Sequence, residues 1–125
     1  MDTVSTTLKA FGESLKLENL TFNEHQVANF DIETMGNLYL ESVDEGREAL
    51  IYLVREVGFA SQGVYQKALS LSHVAERNPF VVYVALRGEK DLIFAIRLTA
   101  EECDIPHLEQ ALTHLRQLHD RMMNT

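Results

Sequence analysis

The strongest hydrophobic pattern in the chain is a pair of apolar runs, Phe80–Leu86 and Leu92–Leu98, separated by a short polar link that contains Gly88. Both runs are rich in β-branched and aromatic residues, a composition typical of a β-hairpin. Apolar residues occupy both faces of each predicted strand. Because such strands are normally covered on both faces, we expect the hairpin to lie in the middle of the fold.

The first half of the chain predicts one helix followed by three strands. Near the N-terminus, with Thr3 or Ser5 as the candidate N-cap, apolar residues recur at helical spacing: Val4, Leu8, Phe11 and Leu15. Gln26–Glu33 alternates apolar and polar positions, as a half-exposed strand does. Leu38–Glu41 and Ala49–Val54 follow after short turns that contain glycine, so the three strands form an antiparallel meander.

The second half predicts a helix, the hairpin and a last helix. Ser61 is a plausible cap for a helix that runs to about Arg77, where Asn78-Pro79 stops it. Asp104 caps the last helix, whose apolar stripe comprises Leu108, Ala111, Leu112, Leu115, Leu118 and Met122. The order α-β-β-β-α-β-β-α predicts an α+β fold, an antiparallel twisted sheet packed with three helices. We expect a single domain over residues 1–125.

Composition narrows the choice of compartment and partner. The 125 residues are 46% hydrophobic and carry a formal net charge of −8, with a pI near 5.0. An acidic chain is repelled by nucleic-acid phosphates and anionic membranes, so we expect neither as a partner. No signal peptide or membrane span is visible, and Cys103 is the single cysteine. These features favour a reducing cytoplasm.

Residues that could carry chemistry have plainer explanations. Gly58–Gly63 places Ser61 between a strand and a helix, but a nucleophile elbow needs one residue between glycine and serine, and here there are two. A helix cap is favoured instead. Glu101, Glu102 and Asp104 precede the last helix, where its dipole stabilises acidic residues. The sequence contains no glycine-rich phosphate loop, and the enzyme hypothesis has no positive support.

The histidines of the last helix are candidate metal ligands. His107 and His114 lie seven residues apart, about 10 Å along the helix axis, too far to share one ion without other ligands. His114 and His119 point in different directions. The pattern favours solvated helix histidines, and we expect no metal and no other cofactor.

The second helix is apolar over more than half its circumference. Only Lys67 and Ser72 interrupt an arc formed by Val64, Tyr65, Ala68, Leu69, Leu71, Val74 and Ala75. A surface helix needs a stripe of about 100°, so this helix is expected to be buried on two sides. One side can cover the sheet. The other predicts a partner chain, although a neighbouring loop could also cover it.

Several short motifs, none of them a strict fingerprint, carry a resemblance that spans nearly the whole chain. They are Leu8-x-x-Phe11, Leu20-Thr-Phe22-Asn-Glu24, Lys67-Ala68-Leu69-x-Leu71, Gly88-Glu89 and Pro106-x-Leu108-x-Gln110-Ala111 with Leu115 and Leu118. With its length, acidity and element order, the chain resembles the class I type III secretion chaperones, the family of the Tir chaperone CesT. The C-terminal half resembles the SycN-type members in particular.

The resemblance implies a non-enzymatic bacterial protein of the cytoplasm that needs no cofactor. Such chaperones bind an extended N-terminal segment of a secreted effector or gatekeeper protein and keep it export-competent. They form homodimers, or heterodimers with another small acidic chaperone. Two other readings stay open: an interaction subunit of the same fold without a secretion client, and a ligand-binding or enzymatic domain whose site forms across a dimer.

The resemblance also implies two sets of site residues. The dimer interface is expected at helix two and the adjoining strand, with Val64, Tyr65, Ala68, Leu69, Leu71, Val81 and Tyr83. The client is expected on helix one and the first strand, with Leu8, Phe11, Val27, Asn29 and Phe30. Val27 is apolar on an otherwise polar strand face, which suits docking of an extended segment. The same pattern is also expected of an isolated surface valine, since such residues are common.

Overall fold

The structure is a computed structural model that describes residues 3–15, 27–32, 35–57, 62–73, 80–88 and 90–123. Its elements are α1 (Thr3–Ser14), β1 (Val27–Ile32), β2 (Gly36–Val43), β3 (Glu48–Glu56), α2 (Gln62–Ser72), β4 (Val82–Arg87), β5 (Asp91–Thr99) and α3 (Ile105–Met123). A short 3-10 turn, Asp44–Gly46, joins β2 to β3. The predicted fold class and element order are confirmed. The predicted cap Ser61 and the helix stop Asn78-Pro79 lie outside the described residues.

The five strands form one antiparallel sheet in the order β1-β2-β3-β5-β4. The predicted hairpin is present, with β4 and β5 paired from Val82↔Ile96 to Arg87↔Asp91. Its predicted position in the middle of the fold is wrong for β4, which lies at an edge and leaves Val81 and Tyr83 63% and 54% exposed. Apolar alternation shows which side chains share a strand face, but it does not show whether another layer covers that face.

Among the described residues, the three helices pack on one face of the sheet. The core joins apolar residues of α1 and α3 to the inward side chains of the strands, and the largest fully buried ones include Phe11, Leu38, Ile51, Phe94 and Leu115. The predicted α3 stripe lies in this core, with Met122 packed at its margin. Ala68 places α2 in the same core, beside β4.

The start of α3 confirms the structural reading of its acidic residues. The Asp104 carboxylate accepts a hydrogen bond from the backbone N–H of His107 at 2.8 Å, a helix N-cap, and contacts the His107 ring at 2.7 Å. Glu102 accepts from the Thr99 backbone N–H at 3.0 Å. These bonds lower the pKa of both carboxyl groups. At α1, Ser5 is a buried residue inside the helix, so it is not the cap.

One predicted histidine environment is wrong. His119 is 1% exposed, not solvated, because it lies on the sheet-facing side of α3. Its Nε2 lies 2.7 Å from the backbone oxygen of Leu53, and its ring meets Phe94 edge-on at 4.8 Å between centroids. The hydrogen bond to β3 allows this polar side chain to occupy a core position.

Candidate functional site

Exposed apolar surface is concentrated at one edge of the sheet. Among the described residues, the most exposed large apolar side chains are Leu69 on α2, Val81 just before β4, and Tyr83 and Leu86 on β4. We call these four residues the α2–β4 patch. Within the described part of the chain β4 pairs only with β5, so the patch borders a strand edge with unpaired backbone groups. Apolar side chains beside a free edge are typical of a surface that associates with another chain.

The predicted dimer residues divide between this patch and the core. Leu69, Val81 and Tyr83 are exposed, and Val64, Tyr65 and Leu71 are half-buried. Ala68 is fully buried against the chain's own core. The structure therefore places six of the seven predicted residues at exposed or half-buried positions near the β4 edge. The seventh, Ala68, packs α2 against the core.

The predicted client residues do not share one face. On β1, Phe30 is paired across from Leu38 on the helix-covered face, whereas Asn29 is paired across from Tyr39 on the opposite face, which also carries Val27. Leu8 and Phe11 belong to α1, and their side chains are buried between that helix and the helix-covered face. What connects the two faces is β1 itself, an edge strand that pairs only with β2 among the described residues. An extended segment added to β1 would reach side chains on both faces.

A cleft lies between α1 and α3 on the helix-covered side. It has a volume of about 310 Å³, and its described lining residues are Phe11, Leu15, Met35, Glu109, Leu112, Thr113 and Arg116. The apolar residues from α1 and α3 meet there with a charged residue of each sign on the α3 side. Of the predicted client residues, Phe11 is the one that reaches this cleft. Leu8 belongs to the core beside it.

The face of the sheet that carries no described helix is partly aromatic. The strand register aligns one row of side chains across all five strands: Asn29, Tyr39, Tyr52, Ala95 and Tyr83. The rings of Tyr39 and Tyr52 stack with centroids 4.7 Å apart and planes 3° apart. Burial, together with the nearby Glu41 carboxylate, raises the pKa of the Tyr52 phenol to about 12. We call this surface the helix-free face.

Arg87 reaches across the helix-free face from β4. Its guanidinium lies 5.7 Å from the centroid of the Tyr39 ring, and its Nη1 donates to the Tyr39 hydroxyl at 3.4 Å. Arg87 also pairs with Asp91 at 3.3 Å. Neither Arg87 nor the two tyrosines was predicted as a site residue. The alternation of β2 and β3 indicates a tyrosine on one face of each strand, but only the register of three strand pairs shows that Arg87 of β4 lies where its side chain reaches Tyr39.

The described residues contain neither a group of three potential metal ligands among His, Cys, Asp and Glu nor a helix long and apolar enough to cross a membrane.

Several solved structures share this fold. A chain of the ExsC–ExsE complex aligns with a TM-score of 0.72 and 17% identity, covering 98% of this chain and 92% of that one. A chain from the structure of the Yersinia pestis chaperone SycH in complex with a YscM2 fragment aligns with a TM-score of 0.67 and 19% identity, covering 96% of this chain and 97% of that one. A chain of the HopA1–SchA chaperone–effector complex aligns with a TM-score of 0.68 and 18% identity, covering 97% of this chain and 91% of that one. At these identities the likeness shows the fold.

Sequence comparison identifies the family. No curated protein matches the chain. The sequence model of the type III secretory system chaperone SycN matches residues 3–123, which is nearly the whole chain. This match includes every helix and strand that the structure describes. The chain therefore belongs to the SycN family of type III secretion chaperones.

Proposed function

We propose that this protein is a cytoplasmic chaperone that binds the N-terminal segment of a secreted effector or gatekeeper protein and keeps it extended for export. The observation that carries the proposal is the family match over residues 3–123. The structure of SchA with HopA1 is a chaperone–effector complex of the same fold. We infer that the protein acts by binding alone, without catalysing a reaction, because the family is one of chaperones.

The edge of β1, which has no neighbouring strand other than β2 in the described part of the chain, supports this function. A client that becomes ordered on binding loses conformational entropy, so it needs strand pairing or extensive apolar contact in return. β1 offers backbone pairing, and half-buried Val27 offers an apolar contact beside it. The α1–α3 cleft could hold an apolar side chain on the opposite face.

Co-expression with candidate secreted proteins tests the function directly. The chain should co-elute in size exclusion with a protein that carries its N-terminal segment and should lose it when that segment is deleted. Recovery of a non-secreted partner alone would favour an interaction subunit instead. Stoichiometric metal or a bound small molecule in native mass spectrometry would favour the ligand-binding or enzymatic reading.

The client surface can be tested at Val27. Val27→Asp should weaken binding of a client N-terminal peptide by about 1–2 kcal/mol, the scale of one lost valine contact. The change in folding stability should stay smaller, about 0.5–1 kcal/mol, because Val27 is only half-buried and the new carboxylate lies across from Glu41. Val43→Asp is the matched control, since Val43 is a half-buried valine on β2, which is not an edge strand. Equal effects of the two substitutions in titration calorimetry would refute a specific role for β1.

We further propose that the chain dimerises through the α2–β4 patch. Replacing Tyr65 and Leu69 together by glutamate should give a monomeric or insoluble species, whereas Gln66→Glu on an exposed position of the same helix should leave the dimer intact. Light scattering of the unmodified protein measures whether it is a dimer. A monomer both alone and with client would contradict the proposal, and a one-to-one complex with another small acidic chaperone would identify a heterodimer.

A further inference from the structure

We propose that the stacked tyrosines Tyr39 and Tyr52 form a binding site for an arginine side chain of the bound polypeptide, completed by the carboxylate of Glu41. In the unbound chain, Arg87 lies against the Tyr39 part of this site, as an internal substitute for the ligand. The inference deepens the proposed function and rests on it only for the identity of the polypeptide as a client.

The two rings provide the surface that a guanidinium prefers. The rings of Tyr39 and Tyr52 are nearly parallel and stack with centroids 4.7 Å apart, so together they form one aromatic block on the helix-free face. Aromatic faces attract cations, and the planar guanidinium of arginine can also stack on them. The Tyr52 hydroxyl donates to Glu41 at 3.5 Å, which places a carboxylate beside the aromatic pair. A ring with an adjacent carboxylate is a suitable environment for a positive charge.

Arg87 shows that a guanidinium fits there. Its Cζ atom lies 5.7 Å from the Tyr39 centroid, within the range of a cation–π contact. The residue belongs to β4, while Tyr39 belongs to β2, and two strands separate them in the sheet. The Arg87 side chain is 50% exposed. Exposed ion pairs and exposed cation–π contacts are weak, so an arginine held by a bound polypeptide can replace Arg87.

The charge balance of this face favours a cationic ligand. Arg87 pairs with Asp91, Lys90 with Glu56, and Arg97 with Glu48 at 3.5 Å. By contrast, two further carboxylates on the helix-free face, those of Asp31 and Glu41, have no cationic partner among the described residues. Counting only the described residues, the charge left without an ion-pair partner lies at the β1–β2 side of the face and is negative.

The site lies within reach of the β1 edge. Glu41 pairs across from Val27, and Tyr39 pairs across from Asn29. A segment added to β1 would lie two strand spacings from β2, about 9–10 Å. An arginine side chain and a tyrosine ring together span that distance. The α2–β4 patch lies mainly at the other edge of the sheet, although its Tyr83 shares the helix-free face with this site.

The test uses the full chain and a pair of synthetic 12-residue peptides of alternating valine and serine. One peptide carries a single central arginine, and the other carries citrulline, its neutral isostere. Fluorescence polarisation of the labelled peptides gives both affinities. We expect the unmodified chain to prefer the arginine peptide at least threefold. We expect Arg87→Ala to raise affinity for that peptide about two- to fivefold, the scale of one exposed cation–π contact.

Glu41→Gln should reduce the preference for arginine, and Tyr39→Leu should abolish it. Arg97→Ala is the matched control, because Arg97 is a paired arginine of the same face that does not contact Tyr39, and it should change nothing. Equal binding of the two peptides by the unmodified chain and by Arg87→Ala would overturn the proposal. So would a lysine peptide that binds as well as the arginine peptide, since stacking of the guanidinium would then not matter.

Two outcomes separate this proposal from others. If size exclusion shows that Glu41→Gln or Tyr39→Leu turns a dimer into a monomer, the helix-free face is an interface between copies and the arginine site is wrong. If the peptide preference is found but no secreted protein co-elutes, the site stands and the proposed function fails. Circular dichroism verifies folding of Tyr39→Leu, and the isosteric Glu41→Gln at a half-buried position keeps the test decisive if that variant misfolds.

Discussion

His119 should make the protein sensitive to mild acid. The side chain is 1% exposed, and its Nε2 lies 2.7 Å from the Leu53 backbone oxygen, so the neutral ring donates that bond from Nε2. Its Nδ1 is buried with no hydrogen-bond partner among the described residues. A proton added at Nδ1 would place a charge in the core, near the Arg55 guanidinium. Burial, assisted by Arg55, lowers the pKa of His119 from 6.5 to about 4.

The sign and size of the effect follow from this pKa. In the unfolded chain the imidazole binds a proton below pH 6.5, whereas in the folded chain it does so only below about pH 4. The contribution to stability is therefore complete above pH 6.5 and is lost as the pH falls toward 4. The full loss is about 3 kcal/mol, and about 1.4 kcal/mol is lost already at pH 5.5.

Urea unfolding at pH 7.5 and pH 5.5 measures this loss. His119→Gln is the informative variant, because its amide can donate to the Leu53 oxygen but does not titrate. It should be less stable than the unmodified chain at pH 7.5, since it loses the ring contact with Phe94. Its stability should fall about 1.4 kcal/mol less on going to pH 5.5.

The comparison also cancels other titrating groups. Burial lowers the pKa of His114 as well, but that residue is present in both proteins. The lowered pKa values of Glu102 and Asp104 act below pH 4.5, outside the chosen interval. Parallel pH profiles of the two proteins would show that His119 is not held neutral in the core, and the reasoning would fail.

Substitutions at four further positions test the backbone and capping arguments by urea unfolding. Gly36→Ala should lower the stability by about 2–4 kcal/mol, because φ is +119° and an added Cβ would meet the Val54 carbonyl oxygen at 2.5 Å. Gly88→Ala, where φ is +64° but the added Cβ meets open space, should lower it by about 1–2 kcal/mol. Equal losses of stability would refute the steric argument. Glu45→Gly should stabilise the protein by about 0.5–1 kcal/mol by relieving a left-handed φ of 56°, and a loss of stability would show that the turn is not strained. Asp104→Ala should lower the stability through loss of the α3 cap, while Asp104→Asn, whose amide oxygen can still accept the bond, should lower it much less.

The local elements were predictable because each depends on residues close together in sequence. The α3 stripe, the Asp104 cap and the hairpin at Gly88 are read from spacing and from the chemistry of single positions. The same holds for the excess apolar arc of α2, which the structure shows as the exposed Leu69 beside β4. These features require no knowledge of which strands are neighbours.

The sites depended on neighbours that sequence spacing does not reveal. The client residues were expected to act together, but β1 directs Asn29 and Phe30 to opposite faces.

By itself, the sequence determined the helices, the strands and their order, because hydrophobic periodicity and capping act over a few residues. The tertiary structure alone decided that β4 lies at an edge, that His119 is buried and that Arg87 meets Tyr39. Each of these depends on which distant strands pair and on which face the helices cover. Strand pairing and the placement of the helices are determined by the packing free energy of the whole domain. Short sequence patterns therefore do not predict them.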